Sequence, residues 1–274
     1  MPLKIVLPLT ALLALSAACA SSDDARTEPQ PEHPLVEHPG IARHFAEAGV
    51  TGTFVLHDPA AGRALVHDAD RARRRFVPAS TFKVLNSLVA LETGAVADTA
   101  AVFRWDGVER EVPPWNGDHT LATAFENSVV WVYQDLARRV GEGTMRDYVR
   151  RVGYGNADVG GGIDRFWLTG DLRVSPLEQV GFLRRLHERR LPFSDRTVDL
   201  VEGILVEDRG PGHVLRAKTG WARWDPVDVG WYVGCVERAD RTVYFALNMD
   251  VERPEQGPAR RAVARAVLAD LGLL

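Results

Sequence analysis

The amino-acid sequence predicts a mixed α/β fold of the α+β kind, with one antiparallel sheet built from both ends of the chain and flanked by helices. Strand-like segments near the two ends cover residues 51–57, 63–67, 214–221, 227–237 and 241–251. The stretch between residues 95 and 175 instead alternates short helical patterns with loops rich in glycine and proline. We therefore expect a mostly helical lobe inserted between the two halves of the sheet, and a ligand-binding cleft between lobe and sheet.

Two of the helices are predicted from their apolar spacing and from the residues that end them. One runs from Ser80 to about Glu92, where Gly94 is placed to terminate it. A second covers the segment TMRDYVRRVG, which offers Thr144 as the N-terminal cap and Gly153 as the closing residue.

The clearest helical segment is SPLEQVGFLRRLHERRL. Ser175 is the expected cap, Pro176 suits the first turn, and Glu178 completes a capping box. Its apolar stripe comprises Leu177, Val180, Leu183 and Leu186. A tight polar turn at residues 238–241 predicts that the last two strands form a hairpin, and a final helix is expected from about 258 to 271.

The first 19 residues resemble a bacterial export signal. They contain one lysine, an apolar run over residues 5–15 and small residues up to Ala18. Small residues directly before Cys19 are also typical of a lipoprotein cleavage box, which would make Cys19 a lipid anchor. The alternative is ordinary cleavage near Ala18 with release of a soluble protein. Both alternatives predict an exported, periplasmic protein.

Composition narrows the choice of partners. Residues 20–39 are polar and rich in proline, which predicts a flexible tether before one folded unit over 40–274. The net charge of -4 and the absence of a basic stripe argue against nucleic acid as a partner. The eight histidines show no metal-binding spacing, so no metal is expected. Cys235 is the single cysteine of the folded unit and should be a buried apolar residue.

The segment PASTFK places a serine and a lysine three residues apart. Side chains at this spacing lie on one face of a helix, so Ser80 and Lys83 should point the same way. A serine hydroxyl becomes a useful nucleophile only beside a base, and a lysine becomes a base only when burial lowers its pKa. The alternative is a capping serine with a lysine that extends into water.

Three further motifs follow in order: Ser128-Val129-Val130, Tyr154-Gly155-Asn156 and Lys218-Thr219-Gly220. Together with Ser-x-x-Lys they resemble the penicillin-recognising serine enzymes, and more narrowly the class D (OXA-type) serine β-lactamases. Ser-Val-Val in place of Ser-Asp-Asn, and the added Tyr-Gly-Asn, carry the narrower resemblance. It extends through the segments LETG, GGIDRFWL, VGWYVGCVE and NMDV.

The resemblance implies a serine β-lactamase/transpeptidase-like fold over residues 40–274 and hydrolysis of β-lactams such as penicillins and oxacillin. Ser80 would form the acyl-enzyme. Lys83 would react with carbon dioxide to become N6-carboxylysine, the general base, with no other cofactor. Ser128 and Lys218 would pass a proton to the leaving ring nitrogen.

The resemblance also implies a set of substrate-binding residues: Val130, Tyr133, Trp167, Leu168, Thr219, Gly220, Trp221 and Arg260. The indole of Trp167 would hold the carbamate, and Thr219 and Arg260 would bind the substrate carboxylate, with Arg261 as the rival arginine. Gly220 would let the substrate approach the strand. The backbone N–H groups of Ser80 and Trp221 would form the oxyanion hole.

Competing functions share much of this pattern. A penicillin sensor or penicillin-binding protein would acylate without efficient turnover, a cell-wall transpeptidase or carboxypeptidase would act on peptidoglycan stems, and a non-catalytic lipoprotein would only bind. For Tyr154-Gly155-Asn156, both a structural loop and a direct catalytic role stay open. The sequence indicates neither the oligomeric state nor whether carbapenems or extended cephalosporins are accepted.

Overall fold

A seven-stranded sheet organises residues 34–274, which are the part of the chain that the structure, a computed structural model, describes. Seven strands form this sheet: β1 Leu35–Glu37, β2 Gly52–Asp58, β3 Arg63–His67, β6 Val206–Gly210, β7 His213–Ala222, β8 Asp228–Arg238 and β9 Thr242–Val251. Two short strands, β4 Val102–Phe103 and β5 His119–Thr120, form a separate pair. The sheet order is β1-β3-β2-β9-β8-β7-β6, so strands from the two ends of the chain meet where β2 pairs with β9. The predicted mixed fold, with a sheet built from both ends, is confirmed.

The helices between β3 and β6 form the predicted insertion. The α-helices are α1 Pro39–Ala48, α2 Ala69–Arg73, α3 Lys83–Glu92, α4 Leu121–Glu126, α5 Val130–Val140, α6 Glu142–Val152, α7 Pro176–His187, α8 Asp195–Leu205 and α9 Ala259–Asp270. Short 3₁₀ helices cover Ala79–Phe82, Pro113–Trp115 and Pro254–Gln256. No helix within residues 34–274 is long and apolar enough to cross a membrane.

Both faces of the sheet are covered, because side chains alternate along each strand. Tyr232 and Phe245 belong to an apolar cluster with residues of α1 and α9. Trp231 and Val233 point to the opposite face and join the larger cluster that contains α3, α5 and α7. The sheet is therefore the middle layer, and the inserted helices pack on one side of it.

The predicted helix ends agree with the structure in α7 and only in part in α6. The capping box of α7 is confirmed, since Ser175 Oγ accepts from the Glu178 N–H at 3.2 Å and the Glu178 carboxylate accepts from the Ser175 N–H at 2.8 Å. The predicted Thr144 cap is wrong: α6 begins at Glu142, two residues earlier, and Thr144 lies inside the helix. Gly153 ends α6 in the left-handed conformation, as predicted.

The fold also begins earlier than the predicted tether allows. Leu35–Glu37 of the segment 20–39 form β1, which pairs parallel with β3, and Pro39 already belongs to α1. The sheet is thus not purely antiparallel. Residues 1–33, with the predicted export signal and most of the tether, lie outside the described residues.

Candidate active site

Ser80 lies in the 3₁₀ turn Ala79–Phe82, which continues directly into α3. In a 3₁₀ turn, side chains at i and i+3 nearly eclipse, so the geometry aligns Ser80 with Lys83 more closely than an α-helix does. Lys83 Nζ donates to Ser80 Oγ at 2.8 Å, as the spacing predicted. The turn is held by a hydrogen bond from the Ala79 N–H to the Trp167 carbonyl at 3.0 Å.

Lys83 is fully buried, with 0% of its surface exposed. Burial holds the pKa of its amine well below the ordinary value, and the charge of Lys218 lowers it further. The ring of Tyr133 lies 5.1 Å from Nζ, and the Tyr133 hydroxyl is hydrogen-bonded to Ser87 Oγ at 2.9 Å. The alternative of a lysine that extends into water is wrong, because its amine faces Ser80 from inside the core.

Trp167 forms part of the apolar surroundings of this pair. It is fully buried and stacks on Phe82, the neighbour of Lys83, with ring centroids 5.4 Å apart. Its indole N–H is buried and has no hydrogen-bond partner within residues 34–274. An unpaired buried donor carries a desolvation cost of about 1–3 kcal/mol, which a bound acceptor would remove.

Ser128 adopts a left-handed backbone conformation, with φ of 56°. It does not cap α5, whose N-cap is Val129. Its Oγ is buried and finds no partner among the described side chains and backbone groups. A strained serine with a free hydroxyl is more typical of a functional position than of a structural cap.

Lys218 projects from β7 and is only 4% exposed. Burial lowers the pKa of its amine to about 7, the charges of Arg261 and Arg260 contribute in the same direction, and Glu207 opposes them. Nζ donates to the Thr219 carbonyl at 3.2 Å. In the described structure Lys218 and Ser128 are not hydrogen-bonded to each other, although Ser128 Oγ is free to accept.

β7 presents an open edge to the serine turn. β6 pairs with β7 only as far as Arg216, so from residue 217 onward this edge has no strand partner. A Cβ built on Gly220 would lie 3.2 Å from Pro78 O, from Thr81 Cγ2 and from Trp231 Cβ. The glycine therefore allows the serine turn to pack on the strand. That it also gives the substrate room at the open edge of β7 stays a prediction.

Arg260 extends from α9 toward the far end of β7. Its guanidinium lies 5.4 Å from the Trp221 ring centroid, and Nη1 donates to the Gly257 carbonyl at 2.8 Å. Burial, and then the charge of Arg261, lower its pKa to about 10, and Nε is buried with no partner in the described region. Arg261 is exposed, pairs with Glu207 at 3.5 Å and lines a cavity beside Lys218 and Thr219, so the choice between the two arginines stays a prediction.

The remaining residues that were predicted to bind substrate are either half-buried or fully buried. Val130, Leu168, Thr219 and Trp221 are half-buried and so accessible from the surface. Tyr133 is fully buried; its predicted contact with substrate is wrong, and the ring packs beside Lys83 instead. Trp167 is likewise too deep to touch a substrate.

Two features were missed at the sequence level. The ring of Phe125 lies 5.4 Å from Lys218 Nζ, and a cavity of about 500 Å³ runs along Lys218 and Thr219, with Leu205 and Glu207 among its lining residues. Phe125 lies three residues before Ser128 in the segment FENSVV, which was the available signal.

Within residues 34–274 no group of three or more histidine, cysteine, aspartate or glutamate residues could hold a metal ion.

Comparison with known proteins agrees with this arrangement. Residues 52–269 match the family described as penicillin binding protein transpeptidase domain. The chain is 40% identical over 225 residues to β-lactamase OXA-48 of Klebsiella pneumoniae, covering 82% of this chain and 85% of that protein. It is also 40% identical over 223 residues to the probable β-lactamase YbxI of Bacillus subtilis, covering 81% and 82%.

Solved structures point to the same group. The class D β-lactamase YbXI from Nostoc has a TM-score of 0.84 and 44% identity, covering 85% of this chain and 99% of that chain. FUS-1 (OXA-85), a class D β-lactamase from Fusobacterium nucleatum subsp. polymorphum, has a TM-score of 0.85 and 33% identity, covering 87% and 100%. Fold and site thus define a penicillin-recognising serine enzyme. Within that group, the chain belongs to the class D serine β-lactamases.

Proposed function

We propose that this protein hydrolyses β-lactam antibiotics, penicillins and oxacillin among them, through an acyl-enzyme on Ser80. The observation that carries the proposal is the 2.8 Å hydrogen bond between Ser80 Oγ and the amine of a lysine with no exposed surface. Only an amine kept neutral can accept the serine proton, and burial shifts the pKa of Lys83 in the direction that favours the neutral form.

Acylation then follows from the positions of four side chains. Ser80 Oγ attacks the lactam carbonyl carbon and gives its proton to the base at Lys83. The ring C–N bond breaks with its electron pair on nitrogen, which takes a proton from the Ser128 hydroxyl. Ser128 is reprotonated by the Lys218 ammonium, whose pKa of about 7 suits proton transfer near neutral pH.

Carbamylation of Lys83 is the finer part of the proposal. The neutral amine forms an N–C bond with carbon dioxide and loses one proton. The product is a carboxylate-like base, so the site needs no aspartate or glutamate for this role. The surroundings fit this group, because the unpaired indole N–H of Trp167 offers a donor for a new anion. Before deacylation, the base at Lys83 returns the proton that it took from Ser80 to Lys218 by way of solvent. The base then takes a proton from water as the water oxygen attacks the ester carbonyl, and it gives that proton to Ser80 Oγ as the ester C–O bond breaks.

The substrate carboxylate would be bound by cations beside β7. Arg260 has a buried and unpaired Nε, and Thr219 presents a half-exposed hydroxyl one residue from Lys218. A carboxylate placed there would also raise the pKa of Lys218, because an opposite charge favours the ammonium form. Binding of the substrate would thereby charge the proton donor.

Turnover of oxacillin and nitrocefin by the purified protein tests the function. We expect many turnovers per protein molecule, and a higher kcat when bicarbonate is added to a carbon dioxide-depleted buffer. Acylation of one equivalent without further product would instead indicate a β-lactam sensor. A Ser80→Ala variant is the matched control and should show no turnover.

The lysine content of the chain makes carbamylation directly observable. The sequence contains three lysines, Lys4, Lys83 and Lys218, so carbon-13 bicarbonate can label few side-chain amines. We expect one carbamate NMR signal that persists in Lys218→Arg and disappears in Lys83→Ala. A Trp167→Phe variant keeps an aromatic ring and loses the N–H, so it should need at least about tenfold more bicarbonate, because a buried hydrogen bond to a charge contributes about 1.5–3 kcal/mol. Persistence of the signal in Lys83→Ala would contradict the assignment.

The location of the protein is proposed from its first 19 residues alone. We propose export to the periplasm, followed either by lipid modification of Cys19 or by ordinary cleavage near Ala18 with release of a soluble protein. Fractionation of cells that express the full chain and its Cys19→Ala variant distinguishes the two. Movement from membrane to soluble fraction would indicate a lipid anchor, and recovery of both proteins in the cytoplasm would refute export.

A further inference from the structure

The Tyr154-Gly155-Asn156 motif takes no part in the chemistry described above, yet it lies at the base of the loop that carries Trp167. We propose that Asn156 is a positioning residue. By closing this loop, it fixes Trp167 against the Ser80–Lys83 pair and so sets the affinity of Lys83 for carbon dioxide. The inference rests on the proposed carbamylation and deepens it.

Asn156 uses its backbone and both ends of its side-chain amide to bind the returning strand of the loop. Its N–H donates to the Arg173 carbonyl at 2.9 Å. Its Oδ1 accepts from the Arg173 N–H at 2.9 Å, and its Nδ2 donates to the Asp171 carbonyl at 2.8 Å. The Asn156 side chain thus makes hydrogen bonds of the kind that a neighbouring β-strand would make. These bonds close the loop of roughly fourteen residues between Asn156 and Asp171.

Gly155 permits this approach of the two backbone segments. Its φ is +55°, and a Cβ added there would lie 1.9 Å from the Arg173 carbonyl oxygen. Any other residue would force the segments apart at the point where Asn156 binds. The Gly-Asn pair therefore has a specific task, the close pairing of residues 155–156 with residues 171–173.

The base of the loop is anchored to the serine turn on both sides. Tyr154 is 1% exposed, and its ring packs edge-on against Phe82, with centroids 5.8 Å apart. On the other side, Val174 and Phe76 exchange backbone hydrogen bonds of 2.8 and 2.9 Å just upstream of Ser80. Movement of the loop base would consequently be transmitted to the neighbours of Ser80 and Lys83.

Trp167 joins the loop to the serine turn. Its carbonyl accepts from the Ala79 N–H and its ring stacks on Phe82, but its own indole N–H has no partner in the described structure. The loop backbone and the packing of the ring against Phe82 and Phe166 together set the direction of that N–H. If Asn156 releases the loop base, the donor loses its alignment, and the carbamate loses stabilisation while the amine of Lys83 stays in place.

The test is the bicarbonate concentration that gives half-maximal kcat with oxacillin, measured for wild type and for Asn156→Asp. The aspartate keeps the size and the Oδ1 acceptor, and places an anion against the Asp171 carbonyl in place of an N–H donor. We expect the half-maximal bicarbonate concentration to rise at least about tenfold, which corresponds to about 1.4 kcal/mol. At saturating bicarbonate, kcat should return to within about twofold of wild type, a rescue that a generally damaged fold would not show.

Asn116→Asp is the matched control, because Asn116 makes the same pair of contacts in a loop without Trp167. It accepts from the Arg110 N–H at 2.8 Å and donates to the Arg110 carbonyl at 3.0 Å. We expect its half-maximal bicarbonate concentration to equal that of wild type. Where Asn156→Asp gives no folded protein, Asn156→Ser, which adds no charge, is measured in the same way.

The outcomes separate this inference from the proposed function. One result would overturn the role of Asn156 alone. In it, the wild-type protein gives a carbamate signal, but the Asn156 variant has the same bicarbonate dependence as wild type. A loss of activity that saturating bicarbonate does not restore would overturn it as well. Wild-type turnover with neither a carbamate signal nor a bicarbonate effect would overturn carbamylation, and this inference with it, while hydrolysis through Ser80 would stand.

Discussion

Lys83→Ala should lower kcat for oxacillin by at least about a thousandfold, because the variant removes the base that both chemical steps use. General base catalysis alone contributes about 10²- to 10⁴-fold, and here one group serves acylation and deacylation. Lys83 Nζ is also the sole described side-chain atom hydrogen-bonded to Ser80 Oγ. Steady-state kinetics measures the loss. Wild-type rates in this variant would refute the mechanism.

Mass spectrometry of the same variant shows which step fails. An accumulating adduct of protein plus oxacillin means that Ser80 still acylates, and that the water of the second step is what needs the base. An unmodified protein means that the first step needs it too. A Lys83→Met variant keeps the packing volume at this fully buried position, so the same kinetic loss in both variants excludes a cavity as the cause.

The short-range features of the site could be predicted from the sequence because they depend on few residues. The alignment of Ser80 with Lys83 follows from their spacing, and the capping box at Ser175 follows from local hydrogen bonding. α8 carried a readable signal as well, with Ser194 as its cap and Val198 and Val201 on its buried face. It was missed although its pattern is local.

The remaining errors concern positions that are decided by partners distant in sequence. β1 has three residues and exists because β3 pairs with it. Tyr133 could line a cleft or a core, and only the approach of α3 to α5 places it beside Lys83. Gly220 has a structural reason to be glycine, the close packing of the serine turn on β7, which only the folded structure shows. Tertiary packing, which local patterns do not encode, assigned all three.

Lys218→Met should make the protein markedly more stable below neutral pH while it abolishes efficient turnover. The amine is 4% exposed, with Arg260 and Arg261 among the charges that act on it and Glu207 as the opposing anion. Its pKa is about 7 in the folded protein, against a reference value of 10.5. The folded state therefore disfavours the charged lysine, and methionine fills a similar volume with no charge.

The pH dependence has a definite sign. Below about pH 7 the lysine is protonated in both the folded and the unfolded chain, so wild type bears the whole cost of a buried ammonium. Between about pH 7 and 10.5 the folded chain has lost the proton that the unfolded chain still holds, so the stability of wild type rises with pH. The advantage of Lys218→Met should thus be largest at acidic pH, on the order of 3–5 kcal/mol, and should shrink toward pH 10.

Thermal unfolding at about pH 6 and pH 9 measures this difference. For a domain of this size each kcal/mol shifts Tm by roughly 2–4 °C, so a shift of about 6–20 °C is expected at the lower pH. Lys218→Arg is the control, because a guanidinium keeps its charge over the whole range and should gain nothing as pH rises. Equal Tm values for wild type and Lys218→Met at both pH values would show that the folded state does not disfavour the charged form of the Lys218 amine. A confirmed gain means that the protein sacrifices stability to keep a proton donor that titrates near neutral pH, as a stability–activity trade-off predicts.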